Sequence, residues 1–384
     1  MRVVHVCAYF APAFVYGGPP RSILGLCRAQ RDAGADVRVV TTTANGDTEL
    51  DAATVEGGAY DGIPVRYCAR AWPRSIFRAP SIGQAVAAEL RNADVLHIHG
   101  VWNATVWSAA AAARALERPY VLSPRGMLTP AALAHDRWRK QLVYPLTDRR
   151  LIRDAARLHA TSHPEFDELN RLHPQGRAVY VPNGVDLPAC TGDPNAARRR
   201  FQLPAAAPLV LFLGRLHPIK RLDLLAGAFG RVLRQHADAH LVIAGPDERG
   251  HRATIAPLFN DFGASVTWTG RVDEAGKREL LDAADVLVMC SNSESFGMSA
   301  AEAMAAATPV VVTRTCPWPE VEAHQAGFWV DQTPEAIAGG LNAVLSDRAA
   351  AREMGRRGRA LIGSRYSWSH AAAALIREYE TIAT

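Results

Sequence analysis

The sequence predicts an α/β protein of two doubly wound parallel-sheet domains, and three observations lead there. The chain has 384 residues, and at roughly 100–200 residues per domain that length holds two domains. Short apolar runs alternate with longer helical patterns, the pattern of successive strand–helix–strand units, and the alternation restarts at Leu209. Between the halves, Val185–Ala207 is rich in Pro, Asp, Ala and Arg and reads as a linker. The expected division is a first domain over 1–188, a second domain over 205–365, and a closing helical segment over 366–384.

In the first half the expected strands are Val3–Ala8, Val37–Thr41, Val95–His99, Tyr120–Ser123, Leu158–Thr161 and Ala178–Val181. Helices are expected at Arg21–Ala33, Ser81–Arg91, Ala104–Leu116 and over a long stretch around Asp136–Asp154. The second half gives strands Leu209–Leu213, His240–Ala244, Ser265–Thr267, Val286–Met289 and Val310–Thr313. Its helices are Arg221–His236, Glu274–Ala284, Ser299–Ala307 and finally Ser369–Thr381. In open sheets of this kind ligands sit at the carboxyl ends of the strands, so those ends are where functional residues are sought.

Composition excludes several classes. Hydrophobic residues make up 48% and charged residues 21%, near the averages for globular chains. A chain this long buries roughly three quarters of its unfolded surface and needs no covalent staple. The six cysteines are scattered without a Cys-x-x-Cys pair, which argues against a disulfide framework or zinc ribbon and fits a reducing compartment. The opening Met1–Val6 is a strand-like run without a signal peptide's apolar core. No stretch reaches the ~20 apolar residues of a membrane span.

Charge is unevenly placed. Only Lys140, Lys220 and Lys277 are lysines among 43 cations, so a lysine carries more information here than usual. Arg137–Arg157 has a net charge of +5, equal to that of the whole chain. With no broad basic field elsewhere, nucleic acid is not an expected partner. The segment interleaves its cations with Trp138, Leu142, Val143, Leu146, Leu151 and Ile152. It reads either as a patch held on anionic lipid or as an amphipathic helix packed on its own domain.

The strongest chemical signal is Ser291–Met304, which follows the strand Val286–Met289 and runs into a helix. Gly297 permits close approach of a ligand, and the first helical N–H groups are unpaired. Glu294 lies before the helix and Glu302 inside it, with about 7.5 Å of rise from Gly297 to Glu302. Two carboxylates so spaced can each accept paired hydroxyls of one extended ligand. Taken alone, the pair also reads as a helix-dipole neighbour and a surface residue. A second signal is Gly214–Lys220, after the strand Leu209–Leu213. There Arg215 can fork across two oxygens and Lys220 adds a point charge, a pair suited to a diphosphate.

The first half supplies Gly17 and Gly18 ahead of a helix, where backbone can approach a ligand, although Gly-Gly-Pro is also an ordinary turn. His97 and His99 share one face of a strand, with His99 at the carboxyl end. Ser123-Pro124-Arg125-Gly126-Met127 occupies the next strand end, and Arg125 could contact an acceptor or a phosphate. No G-x-G-x-x-G or G-x-x-x-x-G-K-[ST] occurs, which disfavours dehydrogenase and NTPase readings, and no metal-ligand spacing is present.

These residues resemble the family-4 retaining glycosyltransferases of the GT-B architecture, glycosyl transferases group 1. The motifs are the Glu294–Glu302 E-x7-E element, the Arg215/Lys220 loop, Gly17-Gly18, His97-Ile98-His99 and Pro182-Asn183-Gly184-Val185-Asp186. The resemblance implies two Rossmann-like domains facing across a cleft, with a C-terminal helix crossing back to the first. It implies that Arg215 and Lys220 bind the diphosphate of a nucleotide sugar. Glu302 would take the ribose hydroxyls, and Glu294 with Phe296, Gly297, Met298 and Ser299 would hold the donor sugar. Gly245 and Val272 would lie near the base. Gly17 and Gly18 would approach the phosphates, and His99 would meet the donor sugar. Arg125, His97 and Asn183 are carried as acceptor contacts.

The resemblance further implies catalysis by Glu294, His99, Arg215 and Lys220 with no cofactor or metal, the nucleotide-diphosphate sugar being a co-substrate. The expected reaction is retaining transfer of a hexosyl group, from a UDP- or GDP-linked donor, to a hydroxyl of a glycan or lipid-linked acceptor. The expected location is cytoplasmic, with possible peripheral contact with the inner membrane face through 137–157. A nucleotide-sugar epimerase of the same fold and a non-catalytic nucleotide-sugar binding protein are the alternatives. An epimerase would convert a nucleotide sugar with no acceptor present.

Overall fold

The computed structural model describes residues 1–129, 133, 144, 147–174, 176–188, 193, 195–247 and 250–383. The chain divides into two compact units, Met1–Gly184 with Trp368–Thr384, and Val185–Ser367.

Unit 1 is built on an eight-stranded sheet. Its strands are β1 (Arg2–Cys7), β2 (Asp36–Thr42), β3 (Ala59–Tyr60), β4 (Ile63–Cys68), β5 (Val95–His99), β6 (Tyr120–Ser123), β7 (Arg157–Ala160) and β8 (Ala178–Tyr180). The spatial order is β8-β7-β6-β5-β1-β2-β4-β3. Every neighbour pairs in parallel except β3 with β4. Helices α1 (Gly18–Asp32), α2 (Ile82–Leu90), α3 (Ala104–Ala115), α4 (Asp148–Arg153) and α5 (His163–Leu172) belong to this unit. The order of strands reverses between β1 and β5, which places their carboxyl ends at the topological switch point.

Unit 2 carries a six-stranded parallel sheet. Its strands are β9 (Leu209–Leu213), β10 (His240–Ala244), β11 (Val266–Gly270), β12 (Val286–Met289), β13 (Val310–Thr313) and β14 (Gly327–Val330), in the order β11-β10-β9-β12-β13-β14. Helices α6 (Leu222–Val232), α7 (Glu274–Ala283), α8 (Met298–Ala305), α9 (Pro334–Ser346) and α10 (Arg348–Arg365) cover it. Here the switch point falls between β9 and β12. The central strands are largely apolar runs rich in Val, Leu and Ile and buried on both faces, as parallel sheets require.

A final helix α11 (Trp368–Ile382) belongs to unit 1, where Leu375 and Tyr379 are buried beside Val3, Leu26, Val95 and Val121. Two glycines let Trp368 seat there. An added Cβ on Gly25 would come within 2.3 Å of the Trp368 ring, and one on Gly184 within 2.4 Å of its Cα.

The differences from expectation have local causes. Strand β4 went unread because Pro64 and Arg66 interrupt its apolar pattern on an exposed face. The stretch expected as a linker lies in unit 2, since Ala197 and Leu203 are part of its core. Helix α1 starts at Gly18 rather than Arg21, with Pro19 and Pro20 in its first turn, where the missing N–H groups cost nothing. The long helix expected around Asp136–Asp154 falls largely outside the described residues, and its described end is α4. Leu151 and Ile152 there are buried in the unit 1 core, so at this end the apolar side faces its own domain. Among the described residues no helix is long and apolar enough to cross a membrane.

Replacing Gly184 by Ala should destabilise the protein by about 1–3 kcal/mol, because the new methyl meets backbone rather than a movable side-chain tip. Equilibrium denaturation would check this, and a wild-type midpoint would refute the seating described for Trp368.

Candidate active site

In unit 2 the loops after β9 and β12 are drawn together at the switch point. Asn292 donates its backbone N–H to the Ile219 carbonyl at 2.7 Å. Lys220, at the end of a single 3-10 turn, places Nζ 2.5 Å from Glu294 Oε1. Ser291 Oγ donates to the same oxygen at 2.6 Å. Both side chains of the pair are mostly sheltered, with 18% and 13% exposure, so attraction between them is weakly screened. Arg215 is half-buried in the same β9 loop.

The α8 N-terminus follows. Gly297 caps it with φ +85°, a left-handed conformation suited to glycine. A Cβ there would lie 2.9 Å from Trp318 Nε1, a buried indole N–H without a hydrogen-bond partner. Phe296 is buried against Trp318 and Tyr366, so its side chain anchors the turn and only its backbone is available to a ligand. Met298 and Ser299 form the partly exposed first helical turn.

Further along α8, Glu302 Oε1 meets Lys277 Nζ at 2.7 Å, and Lys277 also reaches Glu274 at 3.0 Å. Each motif glutamate is thus held by one lysine. Motif context in the sequence points to Lys220 and not to Lys277, although the scarcity of lysine is a usable signal for both. Gly245 lies buried after β10 with φ +147°, and a Cβ there would come 1.9 Å from the Gly214 carbonyl. Its backbone closely abuts the Gly214–Arg215 loop. Val272 packs, half-buried, against the adjoining core.

In unit 1, Gly17 has φ +81° and caps α1. Arg125 also adopts a left-handed φ, +55°, the sort of backbone strain that persists only where its surroundings enforce it. Glu165 enforces it here: its buried carboxylate accepts the Gly126 N–H at 2.5 Å and the Thr161 N–H at 2.8 Å. Burial nevertheless pushes the Glu165 carboxyl up from its ordinary value. Arg125 donates to His99 Nδ1 from Nε at 3.2 Å and from a terminal nitrogen at 3.1 Å, and to Ser22 Oγ at 3.0 Å. Asn183 Oδ1 lies 3.5 Å from it.

The structure places the two motif histidines in a buried layer. His99 is 3% exposed, with His5 at its Nε2 at 2.9 Å and Arg125 at its Nδ1. His97 is fully buried between the Tyr379 hydroxyl and Ser123 Oγ, each at 2.6 Å. The sequence could place both rings on one strand face, but not the layer beneath them formed by His5, Gln30, His159 and Tyr379.

Burial drives His5 and His159 down to about 4, and His97 and His99 well below their ordinary value. At pH 7 the folded rings are neutral and the unfolded ones mostly so. As pH falls below the unfolded value of 6.5, the unfolded chain takes up protons that the folded rings refuse, so stability drops until the folded rings titrate. The denaturation midpoint should fall between pH 6.5 and about 5, with a slope of up to ~1.4 kcal/mol per pH unit for each ring. A flat midpoint over that window would contradict four neutral buried imidazoles.

Comparison with known proteins bears on this geometry. Residues 17–184 match the family model described as glycosyl transferase 4-like domain, and residues 194–361 match glycosyl transferases group 1. Relatives include a D-inositol 3-phosphate glycosyltransferase of Kineococcus radiotolerans, 29% identical over 88% of this chain and 82% of its own. A phosphatidyl-myo-inositol mannosyltransferase of Mycobacterium leprae is 28% identical over 100% of this chain and 98% of its own. Among solved structures, Anabaena HepE in complex with UDP and glucose aligns with TM-score 0.78 at 18% identity, over 99% of this chain and 100% of that one. Sucrose-phosphate synthase from Thermosynechococcus elongatus aligns with TM-score 0.76 at 20% identity, over 99% and 98%. With the two models matching successive halves and the fold shared end to end, the chain belongs to the group 1, family-4 glycosyltransferases of the GT-B fold.

Proposed function

We propose that the protein transfers a hexosyl group, with retention and without a metal, from a nucleotide-diphosphate sugar to a hydroxyl of a glycan or lipid-linked acceptor. The observation that carries this reading is the doubled Lys–Glu arrangement on unit 2, Lys220 with Glu294 and Lys277 with Glu302. It sets two cations and two hydroxyl-accepting carboxylates around the N-terminus of one helix. A nucleotide-diphosphate sugar has the complementary sequence of groups: ribose hydroxyls, a diphosphate, then sugar hydroxyls. The UDP and glucose bound by the Anabaena neighbour and the mannosyl and inositol chemistry of the relatives support the class of donor and acceptor.

In the proposed reaction the anomeric C–O bond to the diphosphate breaks, negative charge builds on the phosphate and positive charge on the ring. Arg215, Lys220 and the α8 N–H groups stabilise the leaving charge. Glu302 takes the ribose hydroxyls, oriented by Lys277, and Glu294 takes those of the donor sugar. Retention by double displacement would need a nucleophile beneath the anomeric carbon. Since both motif carboxylates are committed to hydroxyls, attack comes from the front face. The acceptor oxygen forms the new bond while its proton passes to the departing phosphate. On unit 2, Gly245 and Val272 flank the base; Gly17, Gly18, Arg125 and Asn183 are the unit 1 residues proposed to contact substrate.

The test is acceptor-dependent release of a nucleoside diphosphate across a panel of nucleotide sugars; conversion of the donor without an acceptor would make the protein an epimerase instead. Arg215→Ala and Lys220→Ala should each reduce kcat by about 100-fold or more, and Lys220→Ala, which leaves the sheltered Glu294 carboxylate unpaired, should also lower the unfolding temperature. Near-normal turnover in either would remove the diphosphate assignment. Glu294→Gln should weaken donor binding, whereas a covalent glycosyl-Glu294 species would establish double displacement. Lys277→Met should raise the donor KM about ten-fold with a smaller change in kcat, because Glu302 loses the charge that orients it; an unchanged KM would leave Lys277 without that role.

A further inference from the structure

Four histidines of unit 1, from β1, β5 and β7, form a buried layer that the reaction above does not use. One ring nitrogen each of His5, His97 and His99 lies within 4.8 Å of the others, a spacing compatible with a bound metal. The hydrogen bonds point elsewhere, because every ring nitrogen of these three and of His159 already has a protein partner.

The direction of those bonds is forced from both ends. The Arg125 guanidinium only donates, and the Val181 carbonyl only accepts. From the first end, His99 Nδ1 accepts from Arg125, so its proton is on Nε2 and goes to His5 Nδ1 at 2.9 Å. His5 Nε2 then donates to Gln30 Oε1 at 2.8 Å, and Gln30 Nε2 donates to the Tyr379 hydroxyl at 3.0 Å. Tyr379 donates to His97 Nδ1, His97 Nε2 donates to Ser123 Oγ, and Ser123 donates to His159 Nδ1, each at 2.6 Å. His159 Nε2 closes the series on the Val181 carbonyl at 2.7 Å. Starting from Val181 gives the same direction.

The consequence falls on Arg125. Among the described residues it has no ion pair; its partners are His99, Ser22 and Asn183, all neutral acceptors. Glu165, the nearby acid, directs its hydrogen bonds to the Gly126 and Thr161 N–H groups and acts on Arg125 only through space, with no direct ion pair between them among the described residues. We propose that the four histidines, Gln30, Tyr379 and Ser123 form one one-way hydrogen-bond chain, each ring protonated on Nε2 alone, whose role is to hold Arg125 without neutralising it, so that its charge meets an oxyanion of the substrate. The residues behind Arg125 are positioning residues. A proton on His99 Nδ1 would point a donor at the guanidinium. Besides the rings themselves, the charged group that faces all four is Arg125, and it works with burial to keep them neutral. The proposal rests on the glycosyltransferase reading only for what the oxyanion belongs to.

Nitrogen-correlated NMR of the full-length chain tests the chain of bonds independently of activity. Four histidines should be neutral Nε2–H tautomers at pH 7.5 and remain so at pH 5.5, and one equivalent of zinc should leave them unchanged. An Nδ1–H tautomer or a charged ring among the four, or zinc bound by them, overturns the proposal. The Arg125 Nε–H signal is then followed as inorganic phosphate and, separately, acetate are added. A response to phosphate alone assigns a phosphoryl group, a response to both assigns any oxyanion, and a response to neither overturns the presentation of charge. Persistence of the phosphate response with saturating nucleoside diphosphate places the group on the acceptor; its loss places it on the donor. Gln30→Glu, isosteric but unable to donate to Tyr379, should raise the phosphate Kd at least five-fold, and Arg125→Gln should abolish the response. An unchanged Kd in Gln30→Glu would show that the chain does not position Arg125.

Discussion

The contact between Lys220 and Glu294 joins the two strand ends that flank the switch point of unit 2. A sheltered carboxylate left alone there would be costly, and so would a sheltered ammonium. Each makes the other tolerable, and Ser291 supplies a further donor. Because β9 and β12 are adjacent and parallel, this pair, with the Asn292–Ile219 backbone hydrogen bond, fixes the separation of the β9 loop from the turn that leads into α8. Gly297, the buried Phe296 and the half-open first turn of α8 all follow from that fixed turn. Lys277 repeats the device farther along the helix for Glu302.

Unit 1 solves the same physical difficulty differently. Its switch-point layer is polar, yet within it Arg125 is held by neutral groups. Burying four imidazoles is affordable because each finds two partners and none needs a charge. A polar layer of this kind specifies its own geometry. Tyr379 accepts from Gln30 and donates to His97, so the closing helix α11 contributes a central link. Gly25 and Gly184, far apart in sequence, make room for Trp368 at the start of that helix and so set its position.

Much of the framework was legible in the sequence. The apolar runs Val95–His99, Tyr120–Ser123, Leu209–Leu213, His240–Ala244, Val286–Met289 and Val310–Thr313 are strands with the expected bounds, since a strand buried on both faces leaves an unbroken apolar signature. Elements with mixed faces were not legible: β4 exposes alternate residues, and α9 and α10 carry glycines and arginines that blur their periodicity. The E-x7-E element and the Arg215/Lys220 loop could be found because glycine, acid and base stand at fixed offsets beside a strong strand.

Sequence alone determined the two-sheet architecture and which strand ends carry ionisable groups, because both are written in local periodicity and in short spacings along the chain. Tertiary structure decided which lysine meets which glutamate, that Arg125 packs on His99, and that Tyr379 completes the layer of histidines. Those outcomes depend on residues up to hundreds of positions apart, whose meeting is set by packing and by hydrogen-bond donors that must find acceptors once water is excluded. No local pattern encodes such pairings.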